Sequence, residues 1–544
     1  MKPVSLSSQI TLNLKAKKVL VVDDFFNFRL NLKKMMRSFN VVYLDDAGSG
    51  EEAIWKMSVR KYDIILCDYH LGEGKSGQQV LEEGKFRGYI NYSTIFIMIT
   101  AENAADMIMA AVEYQPDDYL IKPFAKEVLI KKIQNLIERK GNLKEIEKAV
   151  VEESYSKAVG MCDNLIAKSP RNLAEVMKLK GEIYLKMGAY KEAAEFYDKI
   201  LLMGNIAWAM LGKGRTCLMA EQYEDAKNIF ENIIAKNNKI MAAHDYLAQT
   251  LLKMNNPQDA QAVLTKAISI SPRAILRQKN LGNIAYRNED YGTAENAYKA
   301  TVEQGKYSCF KSPTDYTNLA KTMVWRNNPG EGLNVLENAK NVFPEDDEAR
   351  LHVSLTETYV YKKIEKEAEA LMAMVEAQQI LEEKAGEIST DLKLGLARAY
   401  FINGENEKGT DIIMHIVQEN HDNNELLDDV RGVFRETGLE DIGQTIIKES
   451  RQEIIDLNNA GVRLVQEGKL AEAITLFERA AFQLPENKII NANAAQVLIL
   501  YMKENGIDGQ SLINVKTYLD RVQKIDESYK DLPVLKAMYH ELIP

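Results

Sequence analysis

The apolar positions of this chain follow two different rhythms. Near the N-terminus they come as short, β-branched runs, each stopped by a polar side chain at its C-terminal end. Val19-Leu20-Val21-Val22 stops at Asp23-Asp24, Ile64-Ile65-Leu66-Cys67 at Asp68, Ile95-Phe96-Ile97-Met98-Ile99 at Thr100, and Tyr119-Leu120-Ile121 at Lys122. Continuous runs of this kind predict strands buried on both faces, and so a parallel sheet covered by helices. From Lys126 to Arg139 the period changes: Val128, Leu129, Ile133, Leu136 and Ile137 share one helical face. Gly141 and the charged stretch through Lys148 predict a helical linker over 139–148, and beyond it strand signals almost vanish.

What replaces them is a recurring spacing. A small residue is followed by another 12 positions on, a third 7 further, and often a proline 5 beyond, as in Ala248, Ala260, Ala267 and Pro272. Gly461, Ala473, Ala480 and Pro485 repeat it, as do Ala320, Gly332, Ala339 and Pro344. From Gly181 to Gly214 to Ala248 to Gly282 the steps are 33, 34 and 34, and aromatic pairs such as Tyr190/Tyr197 and Tyr223/Phe230 keep step. Two antiparallel helices approach closely only where side chains are small, and aromatics fill the wider gaps. The pattern resembles the tetratricopeptide repeat, a 34-residue helix–turn–helix unit that stacks into a superhelix. About nine units are expected over 149–488, off register around 422–453, followed by a helical cap over 489–544. An elongated array with an open concave face is the expectation.

Composition narrows the function. The 544 residues carry a net charge of -10, which disfavours nucleic acid as a general partner, and no DNA contact is expected. The four cysteines, Cys67, Cys162, Cys217 and Cys309, are far apart, so neither a zinc site nor a disulfide framework is predicted. Met1 to Ala16 reads as an N-terminal tail without the apolar core of a secretion signal. No apolar run is long enough to span a bilayer, so no membrane insertion is expected. Glu369-Ala370-Leu371 spells a phosphodiesterase signature but falls inside a helical repeat, where coincidence explains it. Gly212-Lys213-Gly214-Arg215 lacks phosphate-loop spacing.

The strand ends carry the chemistry. In an open parallel sheet, ligands bind outside the carboxyl ends of the strands, so the polar stops converge on one edge. Converging carboxylates repel one another unless a hard divalent cation sits between them. This ordering resembles the CheY-like receiver domain of bacterial two-component response regulators, over residues 17–138. The resemblance implies a flavodoxin-like, doubly wound α/β domain with a five-stranded parallel sheet, followed by the all-α tetratricopeptide superhelix. It implies that Asp68 accepts a phosphoryl group from a histidine kinase or phosphotransfer protein. Mg²⁺ would be held by Asp23, Asp24, Asp68 and the backbone carbonyl of His70. Thr100 and Lys122 would contact the phosphoryl group, Tyr119 would be the switch aromatic, and a cis peptide would fall at Lys122-Pro123. A bacterial cytoplasmic location follows from the same resemblance.

The repeats imply an output through protein contacts rather than a reaction. Their inner helices are expected to present Lys178, Trp208, Arg215, Lys279, Asn283 and Arg287 to a partner, Lys279 and Asn283 with the spacing of a carboxylate clamp. Two alternatives differ in output: a phosphate sink or modulator within a relay, and a constitutive scaffold with a degenerate receiver. A third, an enzymatic output near 422–453, lacks clustered catalytic residues.

Overall fold

The computed structural model describes residues 14–101, 116–141, 143–168, 170, 172–383, 388–527 and 529–543. The N-terminal domain is a five-stranded parallel sheet of β1 (Lys18–Val22), β2 (Tyr43–Ala47), β3 (Ile64–Asp68), β4 (Ile95–Thr100) and β5 (Asp118–Ile121), in the order β2-β1-β3-β4-β5. Among the described residues four helices belong to it: α1 (Phe26–Arg37), α2 (Gly50–Val59), α3 (Gly77–Phe86) and α4 (Lys126–Lys140). The connection from β4 to β5 lies outside the described residues.

Side-chain alternation along the strands divides the interior in two. Val19, Val21, Ile64, Leu66, Ile95, Ile97 and Ile99 face α1 and α4, packing with Leu32, Met36, Leu129 and Ile133. Leu20, Val22, Ile65, Cys67, Phe96 and Met98 face α2 and α3, packing with Ala53, Met57, Val80 and Leu81. Both faces are covered, which is why these strands read as unbroken apolar runs. Leu14 is fully buried in the first of these cores, so the end of the expected tail is part of the domain.

The rest is helical. Eleven hairpins follow among the described residues: α5 (Lys144–Val151) with α6 (Tyr155–Ala167), α7 (Leu173–Lys186) with α8 (Tyr190–Leu201), α9 (Ala207–Met219) with α10 (Tyr223–Lys236), and α11 (Met241–Lys253) with α12 (Pro257–Ile270). Next come α13 (Ile275–Arg287) with α14 (Tyr291–Gln304), α15 (Pro313–Trp325) with α16 (Pro329–Val342), α17 (Asp347–Lys363) with α18 (Glu367–Glu383), and α19 (Thr390–Ile402) with α20 (Asn406–Glu419). Then α21 (Asn424–Thr437) pairs with α22 (Glu440–Gln466), α22 also with α23 (Leu470–Gln483), and α24 (Lys488–Asn505) with α25 (Gly509–Ile525); α26 (Leu532–His540) closes the series.

The small-residue rule is visible in space. A Cβ added to Gly181 would lie 2.2 Å from the Tyr197 hydroxyl, and one added to Gly461 would lie 2.2 Å from the Phe477 ring. Both aromatics are buried, so each ring occupies room that the glycine of the facing helix leaves open. The turn inside the hairpin has its own regularity. Glu153, Gly188, Glu221, Asn255, Glu289, Asn327, Glu365, Gly404, Gly438 and Gly468 all have positive φ, a left-handed residue of the kind that commonly ends helices.

Three expectations change. The stretch 139–148 is not a separate linker: Leu143, Ile146 and Ala149 pack against Ala158, Cys162, Val176 and Leu179, making α5 the first helix of the array. The off-register stretch arises because α22 runs 27 residues without a break; its first half partners α21 and its second half α23, so the turn between two units is missing. The array is also not open-ended. Lys530 bonds Glu221, Lys536 bonds Glu153, and Pro533 packs on Gly188, which brings the last helix back to the first units.

Candidate functional site

The sheet register places the polar stops. β1 pairs with β3 through Val22↔Cys67, and β3 with β4 through Asp68↔Ile99, so Asp23, Asp68 and Thr100 emerge at one edge. Lys122 arrives one residue after β5, where its main-chain N–H donates to the Thr100 carbonyl at 2.7 Å. The Lys122-Pro123 peptide bond is cis. Lys122 Nζ donates to Asp23 Oδ2 and to Asp68 Oδ2, both at 2.7 Å. Ligand atoms of Asp23, Asp24 and Asp68 lie within 4.8 Å of one another. Asp23 is fully buried and Asp68 nearly so, whereas Asp24 is exposed.

The electrostatics follow. Burial pushes the Asp68 carboxyl above its ordinary range, with the Lys122 ammonium opposing it and the Asp23 carboxylate adding to it. Burial works to lower the Lys122 ammonium, but its hydrogen bonds to Asp23 and Asp68 prevail and raise it. One fixed cation therefore faces three carboxylates. A hard, oxygen-seeking divalent cation fits this donor set: three carboxylates in reach, one of them open to water. The main chain around it is tightly held. Phe25 N–H donates to Asp23 Oδ1, and Arg29 Nη1 donates to the main-chain carbonyls of Asp23 and Asp24. A Cβ on Gly77, the first residue of α3, would fall 2.0 Å from the Asp68 carbonyl oxygen, so only glycine lets α3 start so close to the acceptor.

Tyr119 packs on the second core. Its hydroxyl is buried without a hydrogen-bond partner among the described residues, and burial, with the neighbouring Tyr69 phenol, pushes its pKa up. Thr100 is buried beside the carboxylates, and His70 is exposed at the edge, its ring 4.9 Å from that of Tyr69.

Residues 19–134 match the family model of the response regulator receiver domain. The N-terminal domain is a response regulator receiver. Chemotaxis protein CheY of Pseudomonas aeruginosa is 28% identical over 122 residues, 22% of this chain and 97% of CheY. Transcriptional regulatory protein CiaR of Streptococcus pneumoniae is 34% identical over 129 residues, and the match spans 54% of CiaR. Among solved structures, CheY4 of Vibrio cholerae matches 22% of the chain at 23% identity with a TM-score of 0.21. A tetratricopeptide repeat protein from Parabacteroides merdae covers 48% at 13% identity with a TM-score of 0.30. After the receiver, the described residues form an all-α array of helical hairpins.

The receiver touches that array. Lys75, in the loop between the acceptor strand and α3, donates to the main-chain carbonyl of Tyr307 at 2.5 Å and pairs with Glu83 at 3.0 Å. Phe86, the last residue of α3, meets Phe310 edge-on with centroids 4.9 Å apart. The Ser93 N–H donates to Glu147 of α5. The Tyr92 phenol is pushed up first by surrounding protein and then by the Glu182 carboxylate, Arg215 opposing. The receiver partners are therefore the segment 305–312, inserted between two units, α5, and α7, whose Glu175 accepts from Arg139, with Arg215 of α9 near enough for its charge to act on Tyr92.

The six groove positions are not brought to one place: Lys279, Asn283 and Arg287 share a cavity, and Lys178, Trp208 and Arg215 lie outside it. Arg215 forms a bidentate pair with Glu182, Lys279 pairs with Asp315 and donates to the Phe310 carbonyl, and Arg287 forms a bidentate pair with Asp429. Asn283 accepts from the Tyr298 hydroxyl, and Lys178 stands 5.7 Å from the Trp208 ring. Lys279, Asn283 and Arg287 line the closed part of the groove, Arg287 facing α21, while Arg215 lies near the receiver. Sequence reasoning missed Arg29, Lys75, Phe86 and Phe310. Only Phe310 had a signal, since it sits where an insertion interrupts the 34-residue step.

Proposed function

We propose that this chain is a two-component response regulator in which Asp68 accepts a phosphoryl group from a histidine kinase or phosphotransfer protein. The observation that carries the reading is the convergence of Asp23, Asp24, Asp68, Thr100 and Lys122 on one sheet edge. Asp23, Asp24, Asp68 and the His70 carbonyl would hold Mg²⁺, which would supply positive charge to offset the negative charge of the incoming phosphoryl oxygens. The Asp68 carboxylate oxygen bonds to phosphorus as the donor's bond to phosphorus breaks. Lys122, already 2.7 Å from Asp68, transfers one of its N–H donors to a phosphoryl oxygen, and Thr100 donates to another. Tyr119 then repacks with the changed edge and carries the state outward.

The output is a contact of the receiver with its own array. In the unphosphorylated state the receiver covers inner helices α7 and α9 and the 305–312 segment. Phosphorylation at Asp68 alters the loop that holds Lys75, weakens this docking and frees the inner face for a protein partner. Coupling of this kind is typically about 1–3 kcal/mol, or roughly 5–150-fold in affinity. A phosphate sink without output gives no role to these interdomain contacts.

The test is labelling with acetyl phosphate and Mg²⁺, read by intact mass. The wild type gains one hydroxylamine-sensitive phosphoryl group; Asp68→Ala and chelator-treated protein gain none. Labelling that persists in Asp68→Ala, or is absent from the wild type, removes the reading.

A further inference from the structure

Where α21 crosses the inside of the superhelix it closes a polar cavity of about 190 Å³. Five basic and five acidic side chains line it, so its formal charge balances. Most of them are engaged. Lys279 pairs with Asp315, Arg287 with Asp429, and Arg398 with Glu436. Arg435 pairs with Glu289 and Asp428 with Arg431. One residue of each sign is left. Lys321, on α15, has no ion pair or hydrogen bond among the described residues; its ammonium stands over the face of the Tyr286 ring, 5.8 Å from the centroid. Asp391, in the first turn of α19, likewise has none, although it lies close enough for each charge to act on the other.

We infer that this cavity binds a small zwitterion of amino-acid size, its carboxylate on Lys321 and its ammonium on Asp391. Lys321, part-buried in the cavity, and Asp391, exposed at its mouth, each lack a partner among the described residues, and an ammonium held out of water without one is costly. A group bearing both opposite charges relieves both at once. A simple anion would satisfy Lys321 and leave Asp391 facing added negative charge; a polyanion is disfavoured further by the balanced lining. The volume suits a single small metabolite: an apolar cavity of about 150 Å³ holds benzene. Asn318 and Thr356 add neutral hydrogen-bonding groups to the wall. Burial pushes the Lys321 ammonium down to about 8, with the Arg398 charge adding to it and Glu436 and Asp391 opposing; a bound carboxylate would reverse the effect. Because the walls come from both α13/α15 and α21, an occupant would also pin the crossing of the superhelix, a control separate from phosphorylation of Asp68.

The full chain is titrated with each standard L-amino acid at about 5 mM, where a native-state ligand raises the melting temperature by linkage, and hits are measured by calorimetry. Propionate, ethylammonium and inorganic phosphate serve as single-charge and multi-charge probes. The expected result is a melting shift with one or a few amino acids and none with the three probes. Lys321→Met and Asp391→Asn each weaken binding roughly 10–100-fold, the range for a hydrogen bond to a charged group, while Lys321→Arg retains it. Circular dichroism verifies that each variant is folded, and Asp391→Asn, at the cavity mouth, stands in if Lys321→Met is not. No shift with any amino acid, equal binding of propionate or phosphate, or binding undiminished in both charge-removing variants overturns the inference.

Discussion

The receiver and the repeat array are built on opposite principles of position. In the receiver, the carboxylates, Thr100 and Lys122 each end a strand or follow it by one or two residues, so a local run of sequence fixes where they stand once the sheet forms. In the array, each hairpin is equally local, but what faces the concave side depends on small rotations summed over many units. The consequence is visible in charge. Lys122 meets Asp23 and Asp68, as strand ends require. Arg287 meets Asp429, 142 residues away, a contact that only the accumulated curvature creates.

That comparison also marks what was legible. The strand-end polar residues, the parallel sheet and the 34-residue hairpin could be read from spacing, because each is enforced within one or two elements, whereas the cis peptide followed only from the family resemblance. The start of the array was placed too late because Leu143 and Ile146 look like any charged-helix flank until Val176 and Leu179 are known to cover them. The fused helix was hidden for a different reason. Ser450 to Asn458 contains no proline or glycine, so the absence of a turn reads as loss of register. The left-handed turn residues could have been found, since Glu221, Asn255 and Glu289 recur at 34, but glutamate is not a residue that announces such a turn. Closure by α21 and the mixed-charge cavity had no local signal.

The comparison can be broken by damaging one region and reading the other. Phe477→Ala empties the space opposite Gly461 and should cost the array roughly 3–5 kcal/mol, while phosphoryl labelling of Asp68 continues; a receiver that loses labelling as well would show the two to be one cooperative unit. Lys122→Ala removes the fixed cation without touching the array. Loss of one preorganised donor costs about 2.7–4 kcal/mol in rate, so labelling by acetyl phosphate should slow about 100- to 1000-fold with the melting of the array unchanged. Phe86→Ala removes the edge-on contact with Phe310, worth about 0.5–1.5 kcal/mol; limited proteolysis within 305–312 should accelerate while Asp68 still labels.

The smallest expected effect is one of pH. His415 bonds Glu419, and this bond raises its pKa while burial opposes. A histidine whose folded value is raised contributes stability in full below its unfolded value of about 6.5, and loses it as pH rises through the folded value. Because His415 is half-exposed, although Glu419 is buried, solvent screening holds the pair to about 1 kcal/mol. His415→Gln should therefore melt lower than wild type at pH 6 and converge with it toward pH 8; a gap that widens with pH would reverse the assignment.

The most direct test of a receiver that acts on its own array is hydrogen exchange of the full chain, with and without acetyl phosphate and Mg²⁺, followed in peptides covering 305–312 and the Lys75 to Arg87 stretch. The account predicts that both become less protected together on phosphorylation, that Asp68→Ala abolishes the change, and that the sheet strands stay protected throughout. Equal protection of both peptides in the two states, with Asp68 fully labelled, would contradict it.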